Sequence, residues 1–416
     1  MLGRIFRAVR DYLYGVVAAI ANGLGIQGPP PPPWNWTMTD ELGQANTQIN
    51  DMFKRYMQDA GIKAAQFALR VSVRQPNNTF GNGGLAMSTA YTWAEPGYFI
   101  TQPGSVMRIA SCSKIFTTAA VLDLIQNRHL LTGQEKVFDF LGISSNDSRV
   151  SSSPQPRDHR VFDITVQHLV KHAGGWNVPD HFTHDWVFRL REIGQHMGLH
   201  RPVTKQEFAE FMFNVPLDFT PGTDSKYSNI GYLLLGLVIE KASGSSYINY
   251  VTNNLLTPLS ISDVAVAKTR LAGRLGNEVY YEDPFFGADT TLSPFVTRLV
   301  PLPYGGFGTM TEVMDSGGGL LTSAKSLAKF IYYNNVLVSD ITDNPGRNDG
   351  QQRDGDMAGT SSVAASFSLK DGSKQFDMAM IFNSFDAGGN KMGPITTNDG
   401  LQRFVDSIKA FVLANF

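Results

Sequence analysis

The sequence has one cysteine and little charge: 17% of its 416 residues are charged, and the net charge is −2. A single cysteine, Cys112, excludes an internal disulfide framework and any metal cluster held by several thiolates. The chain also lacks the clustered Lys and Arg that neutralise phosphates, so we predict no nucleic-acid partner. Because 42% of the residues are hydrophobic, we expect a large core in one globular unit or two closely packed ones.

The first residues differ in composition from the rest. Arg4, Arg7 and Arg10 precede a mostly apolar run over 12–26, shorter than the roughly 17–25 residues of a membrane-spanning helix. A positive start and a short apolar run resemble a secretory signal. We therefore predict a signal-like segment over 1–28 and a secreted or periplasmic protein. The alternative is an amphipathic helix that lies on a membrane surface and makes the protein membrane-associated.

Five consecutive prolines follow at 29–33, and such a run forms a stiff extended spacer. We assign residues 29–39 to a proline-rich linker and residues 40–416 to the folded domain. Within that domain the sequence changes character between about 133 and 313, where helical patterns alternate with long loops that contain Pro and Gly. We predict a mostly helical lobe inserted there.

The remainder of the domain alternates between helix and strand patterns. A helical pattern over 40–61 precedes an alternating run over 66–73. Near the C-terminus, extended runs over 361–369 and 376–382 flank an Asp-Gly turn, which predicts a hairpin, and a final helix follows from about residue 400. These patterns predict an α/β (α+β) fold. Strands from both ends of the chain share an antiparallel sheet flanked by helices, with a site in the crevice beside the helical lobe.

The stretch that indicates chemistry runs from Arg108 to Phe116, where an extended pattern gives way to an apolar helix. Ser111 and Lys114 are three residues apart, so a helix that begins near Ser111 brings the amine over the hydroxyl. A serine needs such a base to become a nucleophile. An apolar helix can lower a lysine pKa from about 10.4 to roughly 7 by burying the charge. We predict that Ser111 is a nucleophile activated by Lys114.

Two other nucleophile candidates are weaker. Ser326 and Lys329 repeat the same spacing, but their context is typical of a solvated turn of an amphipathic helix over 323–333. Cys112 is a conceivable thiol nucleophile, yet it lacks a lysine three residues later and is expected to be a small buried side chain.

A Tyr-x-Asn triplet can add a phenol as a second proton shuttle and an amide. Four such triplets occur, and Tyr227-Ser228-Asn229 differs from the others in its surroundings. Pro221 and Gly222 turn the chain before it, and an apolar helical pattern over 231–240 follows directly. We expect this loop to be held against a rigid element.

Other residues of the predicted lobe have no clear chemical assignment. Four histidines lie close together but lack acidic or cysteine partners at the usual spacing, so we predict surface histidines and no metal site: His181, His184, His196 and His200. Three aromatic residues are candidates for the wall of an acyl pocket or for the core: Trp176, Trp186 and Phe188.

Four blocks of sequence occur in a recognisable order. They run from Arg108 to Lys114, from His168 to Trp176, from Pro221 to Tyr232 and from Met314 to Gly318. Together they resemble the serine β-lactamase-related family, which includes class C β-lactamases, D-Ala-D-Ala carboxypeptidases and esterases of similar fold. The resemblance covers roughly residues 45 to 412. No Gly-x-Ser-x-Gly elbow occurs, which disfavours an α/β-hydrolase.

The resemblance implies a mixed α/β sandwich with a helical lobe and no cofactor. It also implies an acyl-enzyme on Ser111, with general acid and base work shared by Lys114 and Tyr227. Asn229 is then expected to orient the substrate amide or the lysine.

One element departs from the family pattern. Relatives carry Lys-Thr-Gly or His-x-Gly on a strand that faces the nucleophile, whereas this chain has Arg353, Asp354 and Gly355 in register, followed by Asp356. An arginine can bind a substrate carboxylate in bidentate fashion, but it cannot pass a proton at neutral pH. Asp356 is then expected to carry the backbone N–H that completes an oxyanion hole with that of Ser111. Arg353 is either a substrate-binding residue or a polar loop residue.

The sequence therefore predicts a serine hydrolase that cleaves an ester or amide in a small-molecule or peptide-like acyl substrate. We rank an ester slightly ahead of a D-amino-acid peptide, and both ahead of a β-lactam. The alternative is a catalytically weakened member that acts as a scaffold or binding protein, an interpretation motivated by Arg353 and Asp356. Lys370-Asp371-Gly372 mimics the missing motif but is expected in a hairpin turn.

Overall fold

A computed structural model describes residues 34–75, 81, 83–143, 158–178, 184–340, 348–384 and 399–416. Its strands are β1 (Asn35–Asp40), β2 (Ala64–Val73), β3 (Gly84–Ala94), β4 (Met107–Arg108), β5 (Ala265–Val266), β6 (Phe286–Ala288), β7 (Leu299–Pro301), β8 (Leu320–Thr322), β9 (Gln351–Met357), β10 (Thr360–Ser368) and β11 (Lys374–Phe382). Its α-helices are α1 (Thr47–Ala60), α2 (Ser113–Gln126), α3 (Val137–Leu141), α4 (Val166–Val170), α5 (Leu190–His196), α6 (Lys205–Met212), α7 (Asn229–Ser243), α8 (Tyr247–Val251), α9 (Ala324–Tyr333) and α10 (Asp399–Asn415).

Six strands form the main sheet, in the order β1-β3-β2-β11-β10-β9, and neighbouring strands are antiparallel. At its centre β2, from the N-terminal part of the chain, pairs with β11 from the C-terminal part, with Ala68 opposite Ala379. The predicted hairpin is formed by β10 and β11, with Lys370-Asp371-Gly372 in its turn. The predicted fold class is therefore confirmed: strands from both ends of the chain share one antiparallel sheet.

Both faces of the sheet are covered, because β2 is buried on both sides over most of its length. Phe67 and Leu69 join one core with α1 and α10, in which Phe53 packs edge-on against Phe404 with ring centroids 5.0 Å apart. On the other side Ala68 belongs to the larger core, which includes α2, α7 and α9. Alternate side chains of a strand point to opposite faces, so Phe67 and Leu69 face one core, whereas Ala64 and Ala68 face the other.

The folded part begins earlier than the sequence predicts. Residues 35–39, assigned to the linker, belong to β1, where Asn35 pairs with Ala94. The first helix starts at Thr47 and not at residue 40, because the Asn46 side chain accepts the N–H groups of the two residues after Thr47 and caps it. The predicted signal-like segment lies outside the described residues, so its interpretations stay predictions. Among the described helices none is long and apolar enough to cross a membrane.

The predicted lobe contains α3 to α8, and a π-helical turn (Thr252–Leu256) continues α8. Its last part holds the short strands β5, β6 and β7. Its central helix, α7, is buried on most sides over Asn229–Ile239. It ends at Gly244, whose φ of 68° is the left-handed conformation that favours glycine at a helix C-terminus. Residue Asn229 is thus the first residue of a rigid, buried helix.

Candidate active site

A tight turn before α2 positions Ser111. Residues 110–112 form a 3-10 turn, so the α-helix begins at Ser113, two residues later than predicted. Ala110 has a φ of 43°, a left-handed conformation that costs a residue with a side chain roughly 1–2 kcal/mol. Ser111 follows this strained residue and lies, half-buried, at the wall of a cavity of about 340 Å³.

The side chains of Lys114 and Tyr227 converge on the Ser111 hydroxyl. Lys114 Nζ lies 3.0 Å from Ser111 Oγ, and Tyr227 Oη lies 2.5 Å from it on a residue 116 positions away in the chain. All three residues line the same cavity. The predicted nucleophile thus has two groups capable of proton transfer within hydrogen-bond reach.

Lys114 is 1% exposed and also donates to Asn229 Oδ1 at 2.8 Å and to Gly317 O at 2.5 Å. Burial, reinforced by the positive charge of Arg353, lowers its pKa to about 7. A neutral amine has two N–H groups and one lone pair. If the two N–H groups bind Asn229 and Gly317, the lone pair faces the Ser111 hydroxyl, which is the arrangement that a general base needs.

Tyr227 is fixed by a neighbouring histidine. Its ring lies against the His172 ring with centroids 4.8 Å apart, and the Ser228 N–H donates to His172 Nδ1 at 3.1 Å. Burial raises the pKa of the Tyr227 phenol, and its hydrogen bond with Ser111 opposes this effect only in part. The phenol therefore keeps its proton at neutral pH.

Asp185 is a member of the site that the sequence analysis missed. This fully buried carboxylate accepts a hydrogen bond from Asn229 Nδ2 at 2.9 Å, which leaves Asn229 Oδ1 facing Lys114. Asp185 also accepts the Val187 N–H and so caps a short 3-10 turn. An Asp before a helical turn is a common capping signal, but no spacing in the sequence connects it to Asn229.

Strand β9 passes directly beside the Ser111 turn. A Cβ added to Gly355 would lie 2.6 Å from Ser111 N and 2.5 Å from Ile109 O, so only glycine fits at this position. Gly355 therefore packs against the backbone of the nucleophile. Arg353 and Asp356 line the cavity together with Ser111, and the Arg353 guanidinium donates to Ser339 Oγ.

The alternative nucleophiles are placed differently. Cys112 is fully buried, its Sγ donates to Arg353 O at 3.5 Å, and burial raises its thiol pKa to about 12. A thiol with such a pKa stays protonated and is a poor nucleophile. Ser326 lies in the first turn of α9, where its N–H donates to Ser323 Oγ, and it does not line the cavity.

Of the predicted aromatic wall only Phe188 lines the cavity. Trp176 is buried in the core, and Trp186 packs edge-on against Phe211. Two of the four histidines contact aromatic rings: His196 packs on Phe211 and His200 on Phe295. His181 lies outside the described residues, and among those described no group of three or more His, Cys, Asp or Glu is arranged to hold a metal ion.

Curated proteins with similar sequences include two bacterial relatives. "Penicillin-binding protein 4*" of Bacillus subtilis is 28% identical over 170 residues, which cover 40% of this chain and 32% of the relative. A "Putative D-alanyl-D-alanine carboxypeptidase" of Escherichia coli K12 is 21% identical over 159 residues, covering 38% of this chain and 33% of the relative. The matched part of the chain thus spans about a third of the length of these relatives.

Solved structures resemble the fold over most of the chain. The D-amino acid amidase from Ochrobactrum anthropi SV3 complexed with D-phenylalanine superposes with a TM-score of 0.55 at 14% identity, covering 87% of this chain and 99% of the amidase. The β-lactamase/D-alanine carboxypeptidase from Yersinia pestis superposes with a TM-score of 0.52 at 13% identity, covering 87% of this chain and 98% of that protein. At such identities the similarity shows the fold. A statistical model described as "Beta-lactamase" matches residues 49–370, and because this match spans most of the chain, the protein belongs to the beta-lactamase family.

Proposed function

We propose that the protein is a serine hydrolase that cleaves an ester or amide through an acyl-enzyme on Ser111. The observation that carries this proposal is the position of Ser111 Oγ between Lys114 Nζ, at 3.0 Å, and Tyr227 Oη, at 2.5 Å, at the wall of a cavity. Membership of the beta-lactamase family, whose fold is that of serine hydrolases, supports the same reaction class.

In the proposed acylation step, neutral Lys114 accepts the Ser111 proton while Ser111 Oγ bonds to the substrate carbonyl carbon. The tetrahedral intermediate collapses when the bond to the leaving group breaks, and the leaving group takes a proton from the Tyr227 hydroxyl. Tyr227 is reprotonated from the Lys114 ammonium. In deacylation, water attacks the carbonyl carbon of the Ser111 ester and its proton passes to the same pair. The bond between that carbon and Ser111 Oγ then breaks, Ser111 Oγ takes the proton back, and the acid product leaves.

The developing negative charge on the carbonyl oxygen needs N–H donors. We assign the Ser111 N–H to this role, together with the N–H of Asp356. The close packing of Gly355 on Ser111 N supports this assignment, because it brings the next residue of β9 beside the nucleophile.

The proposed substrate is a small-molecule or peptide-like acyl compound. Arg353, which lines the cavity, is proposed to bind a carboxylate next to the scissile bond. This role fits the name of a relative, a putative D-alanyl-D-alanine carboxypeptidase, because a D-Ala-D-Ala peptide has a carboxylate next to its scissile amide. The position of Arg353 at the cavity wall favours a substrate-binding role over that of a polar loop residue.

A fluorophosphonate label followed by intact mass measurement tests the proposal. The wild-type protein is expected to gain one adduct, Ser111→Ala none, and the matched control Ser326→Ala one. An adduct on Ser111→Ala contradicts the assignment of the nucleophile. A wild-type protein that neither takes the label nor hydrolyses an activated ester supports the scaffold alternative instead.

A further inference from the structure

Exposed apolar side chains are concentrated on one part of the lobe. Among the described residues, seven of the thirteen exposed large hydrophobic side chains lie between residues 271 and 299. They form what we call the Phe286 face: Leu271, Leu275, Tyr280, Phe286, Phe295, Val296 and Leu299. Phe286 and Leu299 are the most exposed, at 63% and 66%. Such concentrations on a protein surface are typical of interaction sites.

The two most exposed members are neighbours on the ribbon of β6 and β7. Ala288 pairs with Leu299, and Phe286 pairs with Pro301. Because side chains alternate along a strand, Phe286 and Leu299 lie diagonally adjacent on the same side of this ribbon. They therefore present one continuous apolar surface.

The loop that carries Leu271 and Leu275 is attached to this ribbon region. Arg270 donates to Thr291 Oγ1 at 2.7 Å and to Thr291 O at 3.1 Å. At the other end of the loop, the Arg274 guanidinium lies over the Tyr280 ring at 4.1 Å. These contacts place the loop members of the Phe286 face beside the strands.

The outward charges around the face are mainly positive. Lys268, Arg270 and Arg298 are exposed, whereas Glu278 and Asp289 are each 1% exposed. Asp289 accepts from Arg298, and Glu278 accepts from the Tyr281 hydroxyl at 2.8 Å. Three other carboxylates lie nearby, Glu282, Asp283 and Glu312, and all are half-buried. Glu282 pairs with Lys63 at 3.6 Å, and Glu312 accepts the Thr269 N–H at 3.2 Å. An apolar patch with a positive rim complements a surface of anionic headgroups over an apolar layer.

The described chain begins beside this face. Lys63 Nζ lies 5.3 Å from the Trp34 ring centroid and 5.2 Å from that of Tyr98, and the Tyr98 and Tyr280 centroids are 6.2 Å apart. Residues 1–33, which carry three arginines and an apolar run, therefore join the domain on the side of Lys63 and Tyr98, and Tyr98 contacts Tyr280. A membrane contact by that segment would bring the Phe286 face to the same surface.

We propose that the Phe286 face docks the protein on an anionic lipid membrane. Phe286, Leu299 and their apolar neighbours enter the headgroup region, and Lys268 and Arg270 face anionic headgroups. This inference goes beyond the proposed hydrolase reaction and does not depend on it.

Co-sedimentation of the full chain with lipid vesicles tests the proposal. The wild-type protein is expected to bind vesicles of equal parts phosphatidylcholine and phosphatidylglycerol, and to bind phosphatidylcholine alone more weakly. Phe286→Ser combined with Leu299→Ser should weaken binding about tenfold or more, because the membrane loses contact with two large apolar side chains. The control, Val73→Ser combined with Leu130→Ser, removes side chains that are 51% and 52% exposed elsewhere and should bind like wild type.

Lys268→Glu provides a second variant that leaves the apolar surface intact. It should weaken binding to the mixed vesicles at least about fivefold and leave binding to phosphatidylcholine unchanged. Three outcomes overturn the proposal: no binding by the wild-type protein, unchanged binding by both variants, or a double variant that loses only self-association in analytical ultracentrifugation. The last outcome assigns the face to a second copy of the chain.

Discussion

The chain contains two Ser-x-x-Lys sequences at the starts of helices, and their surroundings differ. Ser111 follows a strained turn and faces a cavity, and Lys114 is 1% exposed with acceptors at 2.8 and 2.5 Å. Ser326 lies in the first regular turn of α9, and Lys329 is partly exposed to solvent. Only the first of the two sequences therefore places a buried lysine amine beside a serine hydroxyl that faces open space.

The largest expected difference between the two sequences is in catalysis. Lys114→Met and Tyr227→Phe should each lower kcat by about 10²–10⁴-fold, the usual contribution of a positioned acid or base, whereas Lys329→Met should leave kcat unchanged. The double variant of Lys114 and Tyr227 should lose far less than the product of the single losses, because the two act as one unit. Steady-state kinetics with an activated ester provides the measurement. Fully multiplicative losses would argue against a shared relay.

Lys114 and Lys329 should also differ in how they affect the pH dependence of the free energy of unfolding. Folding lowers the pKa of Lys114 from the ordinary value of about 10.4 to about 7, so between these values the unfolded chain binds one more proton than the folded chain. Wild-type stability should therefore rise with pH in that window, by up to about 1.4 kcal/mol per pH unit, relative to Lys114→Met. Urea unfolding of both proteins from pH 7 to 10 gives the difference.

Lys329→Met is the control for this measurement, and its difference from wild type should not change across the same window. If the Lys114→Met difference also stays constant with pH, the lysine is not depressed in the folded protein. The base role would then lose its physical support.

The sequence predicted the parts of this site that depend on local spacing. Ser111 and Lys114 lie within one turn, and Tyr227 was identified because a rigid helix follows its loop. Asp185 was missed because its contact with Asn229 joins residues 44 positions apart. The second acceptor of Lys114 is the backbone carbonyl of Gly317. A pattern of side-chain types in the sequence cannot indicate such a backbone contact. The fold class was predictable because it too depends on residues close together in the sequence, such as those of the hairpin of β10 and β11.

A smaller effect is expected from Arg353 at the cavity wall. It concerns substrate binding at the Ser111 site and has no counterpart at Ser326. For substrates with a carboxylate next to the scissile bond, Arg353→Ala should raise KM by a factor that corresponds to roughly 1.5–3 kcal/mol, the usual worth of a charge-assisted hydrogen bond. Neutral esters should respond little. Matched ester substrates with and without the carboxylate, assayed above the pKa of Lys114, provide the comparison. An equal response, or none, makes Arg353 a loop residue and strengthens the scaffold alternative.

The smallest effect we expect is a shift in pH dependence caused by two charges on opposite sides of Lys114. Arg353, on the sheet, lowers the Lys114 pKa, and Asp185, on the lobe, raises it. In the proposed mechanism the base is neutral Lys114, so kcat/KM should rise with pH through about 7. Asp185→Asn removes the negative charge and should move this acidic limb to lower pH, whereas Arg353→Gln should move it to higher pH.

Other groups around Lys114 should not produce this pattern. Tyr227 titrates far above neutral pH because burial raises its pKa, and the thiol of Cys112 has a pKa of about 12. The double variant of Asp185 and Arg353 should therefore have a limb close to that of wild type, since the two removed charges oppose each other. A purely structural role for Asp185 would lower kcat/KM at every pH and leave the limb in place. Limbs that move in the same direction in both single variants would show that neither charge acts on Lys114.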